Sequence, residues 1–106
     1  MAKIKTRAQK GKSEAYIEDK IRRYAKTLGL KNMKFTSPAH RSVPDRIFFP
    51  TGGKCFLIEF KREFGGRLTP RQDLEIKSFM ALGYSVFIVS DVQQGKDIID
   101  ATLALL

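Results

Sequence analysis

Residues 45–62 hold two short runs of strand-forming residues, Asp45 to Phe49 and Cys55 to Arg62, separated by Pro50-Thr51-Gly52-Gly53-Lys54. A proline and paired glycines between two such runs predict a hairpin, which limits the possible folds more than any other feature of the chain. Side chains alternate along a strand, so Cys55, Leu57, Glu59 and Lys61 share one face and Phe56, Ile58 and Phe60 the other. If Phe49 pairs with Cys55, Ile47 lies opposite Leu57 and Asp45 opposite Glu59, with side chains about 5 Å apart. Two carboxylates and an ammonium then converge on one patch. Like charges directly opposite are destabilising, so the arrangement calls for a cation between them. A hard divalent ion removes the conflict. The alternative is an edge-strand ion pair in which Lys61, Arg46 or Arg62 neutralises each acid.

The remaining segments surround this hairpin with helices. Ser13 is an N-cap for a helix over 14–28, with Ile17, Ile21, Ala25 and Leu28 in one stripe and Gly29 after its end. Glu14 falls within that stripe, so it is expected to point inward; as a first-turn acid it also complements the helix dipole. A weak strand is expected around Met33 to Thr36. Thr69-Pro70-Arg71-Gln72 forms a capping box with proline at N1, opening a helix through Ile76 and Phe79 that ends at Gly83. Gln72 shares the face of Ile76 and Phe79, so its amide serves either the capping box or a site against the sheet. Tyr84 to Ser90 is nearly continuous β-branched and aromatic sequence, expected inside the sheet and covered on both faces. Asp91 and Gln94 cap a last helix whose apolar end, Leu103 to Leu106, exceeds what a short helix needs and suits core or a dimer contact. The order α-β-β-β-α-β-α predicts an α/β fold, a mixed central sheet flanked by helices.

The 106 residues suffice for one domain, expected over 13–106, preceded by a basic arm over 1–12 that carries Lys3, Lys5, Arg7, Lys10 and Lys12. One cysteine, Cys55, excludes an intrachain disulfide framework and a multi-cysteine zinc site, and is expected as a reduced thiol. No apolar run approaches a membrane span or an export signal, which predicts an intracellular protein. Net charge is +9, but residues 1–72 hold 18 basic and 6 acidic side chains, a net +12, while residues 73–106 hold 2 and 5, a net −3. A basic surface this lopsided points to a polyanion, most often nucleic acid. Arg41, Arg46, Arg62, Arg67 and Arg71 cluster around the acidic motifs as candidates for gripping phosphates. His40, the one histidine, is expected at the surface or against DNA rather than on a hard metal.

Val43-Pro44-Asp45-Arg46, Ile58-Glu59-Phe60-Lys61, Gly66-Arg67-Leu68-Thr69 leading to Gln72, and Gly83 before the strand from Ser85 together resemble the VRR-NUC branch of the PD-(D/E)XK nucleases. The likeness takes in Glu14 and spans about residues 13–91. It implies a restriction-endonuclease-like fold in which Asp45 and Glu59 bind catalytic Mg²⁺ or Mn²⁺, helped by the Phe60 backbone carbonyl and Glu14. Lys61 would orient or activate water, and Gln72 would support the site. Small stand-alone members look like phage or prophage homodimers acting on branched DNA, including Holliday junctions, inside a bacterial host. The resemblance therefore implies a metal-dependent DNA endonuclease. The alternatives are a noncatalytic nucleic-acid-binding module of the same fold and a small adaptor that binds a protein through its apolar C-terminus.

Overall fold

The computed structural model describes residues 11–106, so Lys3, Lys5, Arg7 and Lys10 of the expected basic arm lie outside the described residues. Seven elements follow in order: α1 (Glu14–Thr27), β1 (Lys31–Lys34), β2 (Arg46–Phe49), β3 (Phe56–Phe60), α2 (Pro70–Ala81), β4 (Ser85–Val89) and α3 (Val92–Ala104). The strands form one mixed sheet in the order β1-β2-β3-β4, antiparallel across the first two pairs and parallel across the last. This is the expected element order. None of the described helices is long and apolar enough to cross a membrane.

Local chemistry accounts for the boundaries. The Ser13 hydroxyl accepts from the Tyr16 N–H at the start of α1, and Asp91 accepts from Gln94 N–H at the start of α3. Thr69 and Gln72 close a reciprocal capping box on α2, with Pro70 supplying a first helical residue that needs no N–H partner. Gly52 and Gly53 turn the hairpin at φ of 100° and 82°, a region where a Cβ is strained. The ladder pairs Ile47 with Leu57 and Phe48 with Phe56, the predicted register.

The core lies between the sheet and the α1–α3 pair. Ile17, Ile21 and Ala25 of α1 and Ile99 of α3 cover Phe48, Phe56, Ile58, Phe60 and Val89, all essentially closed to solvent. Phe48 and Phe56 stack with ring centroids 5.0 Å apart across the β2–β3 pair. Gly95 lets α3 approach α1 closely, since a Cβ there would stand 2.5 Å from the Ile21 Cδ1.

The fold differs from expectation at three places. β4 is an edge strand and not an interior one: among the described residues its sole neighbour is β3, and Ile88 stays 42% exposed. Of the two interior strands, β2 and β3, β3 is buried at every position. The weak strand falls at Lys31–Lys34, two residues earlier than expected. At the C-terminus, Leu103 packs against the core while Leu105 and Leu106 stay exposed.

Candidate active site

Four element ends meet beyond the C-terminal end of β3. Period two along β3 carries Glu59 and then Lys61 onto the face opposite the main core, the face over which α2 lies. Both are enclosed, Glu59 at 2% and Lys61 at 8% exposure. Asp45 stands just before β2, at the position the register sets opposite Glu59. Its Oδ2 accepts the Phe60 N–H at 2.7 Å, so a carboxylate stands in for the next backbone rung of the hairpin. The Asp45 backbone carbonyl accepts from Phe35 N–H at 2.9 Å, fixing the residue from the β1 side.

Gln72 ties the helix to the strand. Its Oε1 accepts from the Thr69 N–H at 2.9 Å and from the Lys61 Nζ at 3.0 Å, while its Nε2 donates to the Glu59 Oε2 at 3.1 Å. The two roles predicted for this amide are therefore held at once. Lys61 Nζ also lies 3.3 Å from Glu59 Oε2 and 3.8 Å from Glu14 Oε1. Glu14 does not point inward: its side chain is 52% exposed and sits at the rim. Being in the first turn, it precedes the point where the α1 stripe reaches the sheet, and the Lys61 charge draws it only to the edge of the site.

The electrostatics carry an unresolved conflict. Burial, and then the Asp45 charge, push the Glu59 carboxyl up to about 7, against the attraction of Lys61. Burial likewise raises Asp45, opposed by the Phe60 N–H. Glu59 Oε1 is buried with no hydrogen-bond partner, the one such side-chain atom among the described residues. An enclosed carboxylate oxygen with nothing to bond, beside a second carboxylate, is what a hard cation would satisfy. Among the described residues, no three His, Cys, Asp or Glu side chains gather into a ready cage, in keeping with Glu14 at the rim and Asp45 bonded to the backbone.

The arginines divide. Arg41 and Arg71, with His40, line a cavity of about 260 Å³ beside the first turns of α2. Arg62 donates to the Gly65 carbonyl at 3.1 Å in an exposed turn, and Arg67 is exposed. Arg46 turns to the other face of the sheet, where Nε donates to Glu18 Oε2 and NH1 to Asn32 Oδ1, both at 2.9 Å. Sequence reasoning missed Glu18 and Asn32. Glu18 had a signal, because it follows Glu14 by four residues and so stacks on the same helix face. Gly66 was noted only as part of a motif, yet a Cβ on it would stand 3.0 Å from the Lys61 Cβ.

A mixed sheet presenting an aspartate, a Glu-x-Lys pair and a supporting glutamine at one end defines a nuclease of the restriction-endonuclease-like fold. Two solved structures described as a VRR-NUC domain and a VRR-NUC domain protein superpose on the chain with TM-scores of 0.76 and 0.77. The first is 22% identical and covers 82% of this chain and 94% of its own, and the second is 19% identical and covers 91% and 92%. At that identity they establish the fold. In sequence the chain is 36% identical over 88 residues to "Putative nuclease p44" of Acyrthosiphon pisum secondary endosymbiont phage 1, covering 83% of this chain and 92% of that protein. No family model matches the sequence. The chain belongs to the same nuclease family as that phage protein and has the fold of a VRR-NUC domain.

Proposed function

We propose that the chain is a metal-dependent DNA endonuclease that hydrolyses phosphodiester bonds in branched DNA and works as a homodimer on Holliday junctions. The observation that carries the metal-dependent reading is the unpartnered, buried Glu59 Oε1, on the residue that the strand register sets opposite Asp45. Asp45 and Glu59, with the Phe60 backbone carbonyl and Glu14 from the rim, are the residues to hold Mg²⁺ or Mn²⁺. Such an ion supplies a Lewis acid for the phosphate and lowers the pKa of a bound water.

The other residues have duties set by their contacts. Lys61 is held by the Gln72 amide oxygen and lies beside two carboxylates, which fixes its nitrogen where it would orient or activate the attacking water. Gln72 fixes the orientation of both Lys61 and Glu59. Arg71, on the helix that carries Gln72, and Arg41 across the cavity from it would bind backbone phosphates flanking the cut.

Self-association is supported by the free edge of β4, Ser85-Val86-Phe87-Ile88-Val89, which has no lysine, proline or bulge to discourage pairing. Exposed Leu82, Tyr84 and Ile88 adjoin it. A two-fold pair would carry two sites for paired cuts. The phage source of the relative supports action inside a bacterial host of a phage or prophage.

The test incubates wild type, Asp45→Ala and Lys61→Ala with single-stranded, duplex, flap and four-way-junction DNA, in Mg²⁺, Mn²⁺ and chelator. Cleavage by wild type alone, only with metal and paired on the junction, is the expected result. Binding without cleavage in every lane would replace the enzyme with a noncatalytic binding module.

A further inference from the structure

A second basic region lies away from the catalytic patch, between the C-terminal half of α1 and the start of β1. A cleft of about 470 Å³ opens there, and every charged residue in its lining is a cation: Arg22, Lys26, Lys31 and Arg46. Two acids stand behind the lining and aim it. Glu18 and Asn32 hold the Arg46 guanidinium from two sides, and Asp19 Oδ1 accepts from Arg22 NH2 at 2.6 Å. Lys26 and Lys31 are exposed and make no ion pair with the described residues. Two oriented guanidiniums beside two uncompensated ammoniums form a receptor for an extended anion.

Its position gives the anion a length. Arg22 and Lys26 follow Glu14, at the rim of the catalytic patch, by eight and twelve residues on one helix. At about 1.5 Å per residue they stand roughly 12 to 18 Å from it along the α1 axis. Duplex DNA rises about 3.4 Å per base pair, so the gap matches roughly four to five base pairs. The outer side of α1 between the two places carries Lys20 and Arg23.

We propose that this cleft binds the phosphate backbone of a duplex arm about five base pairs from the scissile bond, independently of base sequence. The assignment rests on the nuclease reading for the identity of the polyanion. It gives each protomer two regions of phosphate contact, one at the catalytic patch and one at the far end of α1, where Lys26 and Lys31 each meet a phosphate, so that a short arm is held poorly. A purely structural account assigns Lys26 to the helix dipole and Lys31 to protection of an edge strand, and neither role involves DNA.

The experiment measures binding in chelator by fluorescence anisotropy, using the full chain, a duplex of about 20 base pairs and a four-way junction at salt from 50 to 200 mM. Wild type is compared with the double variant Lys26→Ala/Lys31→Ala and with Lys77→Ala, which removes an equal type of charge from α2 on the other face of the sheet. Loss of two phosphate contacts should lower the slope of log affinity against log salt by about 1.8. Wild type would then lose about ten-fold more affinity than the double variant across that fourfold range. Junctions with arms under five base pairs should bind wild type and double variant alike. An unchanged slope in the double variant, or an equal fall in Lys77→Ala, overturns the assignment. Cleavage is scored separately in metal: a wild type that binds with the expected slope but never cuts sinks the nuclease reading and leaves the cleft standing.

Discussion

Without metal, this protein should become less stable as pH rises from 5 to 8. The cause is Glu59, whose carboxyl titrates at about 7 in the native state against an ordinary 4.5. Below 4.5 the group is protonated whether the chain is folded or not, and it contributes no pH dependence. Between 4.5 and 7 the native state keeps a proton that the unfolded chain has released, so stability falls with rising pH. Above 7 the full cost is present. The gap between the two values corresponds to about 3 kcal/mol, at roughly 1.4 kcal/mol per pH unit. At this chain length, that lowers Tm by roughly 10 to 20 °C. Asp45, also raised, acts in the same direction. The lowered Asp19 and the raised Tyr24 act below 3.8 and above 10, outside the window. Thermal unfolding followed by circular dichroism in chelator from pH 5 to pH 8 measures the effect, and Glu59→Gln should abolish most of it. Saturating Mg²⁺ should flatten the profile as well, because it binds the ionised form. A wild-type Tm that is flat or rises over this range, or a slope that survives in Glu59→Gln, refutes the reasoning.

Gly66→Ala should lower cleavage by roughly 10- to 100-fold through displacement of Lys61, because its Cβ would stand 2.9 Å from the Arg62 carbonyl oxygen and 3.0 Å from the Lys61 Cβ. Single-turnover rates check this, and an unchanged rate counts against it. Gly95→Ala should destabilise the fold by about 1–3 kcal/mol through overpacking, since its Cβ would meet Ile21 atoms at 2.5 and 2.8 Å. Denaturant titration measures that loss, and the folded fraction should cleave at the wild-type rate. Gln72→Glu keeps a residue suited to the capping box but replaces the amide donor to Glu59 with a third carboxylate. Its Tm should match wild type at pH 5 and fall further at pH 8, whereas Gln72→Ala should lose about 1 kcal/mol or less of helix capping at both.

What could be read from the residues is what depends on short-range rules. The hairpin register was legible because a slip of one residue would turn Phe56, Ile58 and Phe60 away from the core, and the observed pairing of Ile47 with Leu57 confirms it. Gln72 was legible because the capping box fixes which helix residue comes first. The misplaced elements depend on neighbours distant in the chain. An apolar run such as Ser85 to Val89 has the same composition at an edge as in the interior, and only strand order distinguishes them. Arg46 was set around the acidic motif because it adjoins Asp45, but strand alternation sends its side chain to the opposite face, into the cleft between α1 and β1. Glu14 shares the angular position of Ile17 and Ile21 and still stays at the rim, since angle on a helix does not state where the packing partner ends. The cleft of Lys26 and Lys31 has no motif, because it forms where the end of α1 meets the sheet edge.

The site occupies the one place where the local rules of this fold disagree. Every other position of β3 is apolar and buried, and the same rules would set another apolar residue at 59. Glu59 is instead enclosed with one oxygen bonded to Gln72 and the other to nothing. Burial of this kind is destabilising by itself, so a satisfied fold does not account for it. The surrounding contacts hold the carboxylate in place without neutralising it. Gln72 is committed to Thr69 and Lys61 as well as to Glu59, and Lys61 divides its charge between Glu59 and Glu14. Asp45 gives one oxygen to a backbone N–H that the hairpin would otherwise leave unpaired. Each of these groups is thus fixed by a structural bond while one buried carboxyl oxygen at the centre is left without a partner. A site so arranged is rigid beforehand, and under the proposed mechanism a bound cation would offset the cost of burying Glu59.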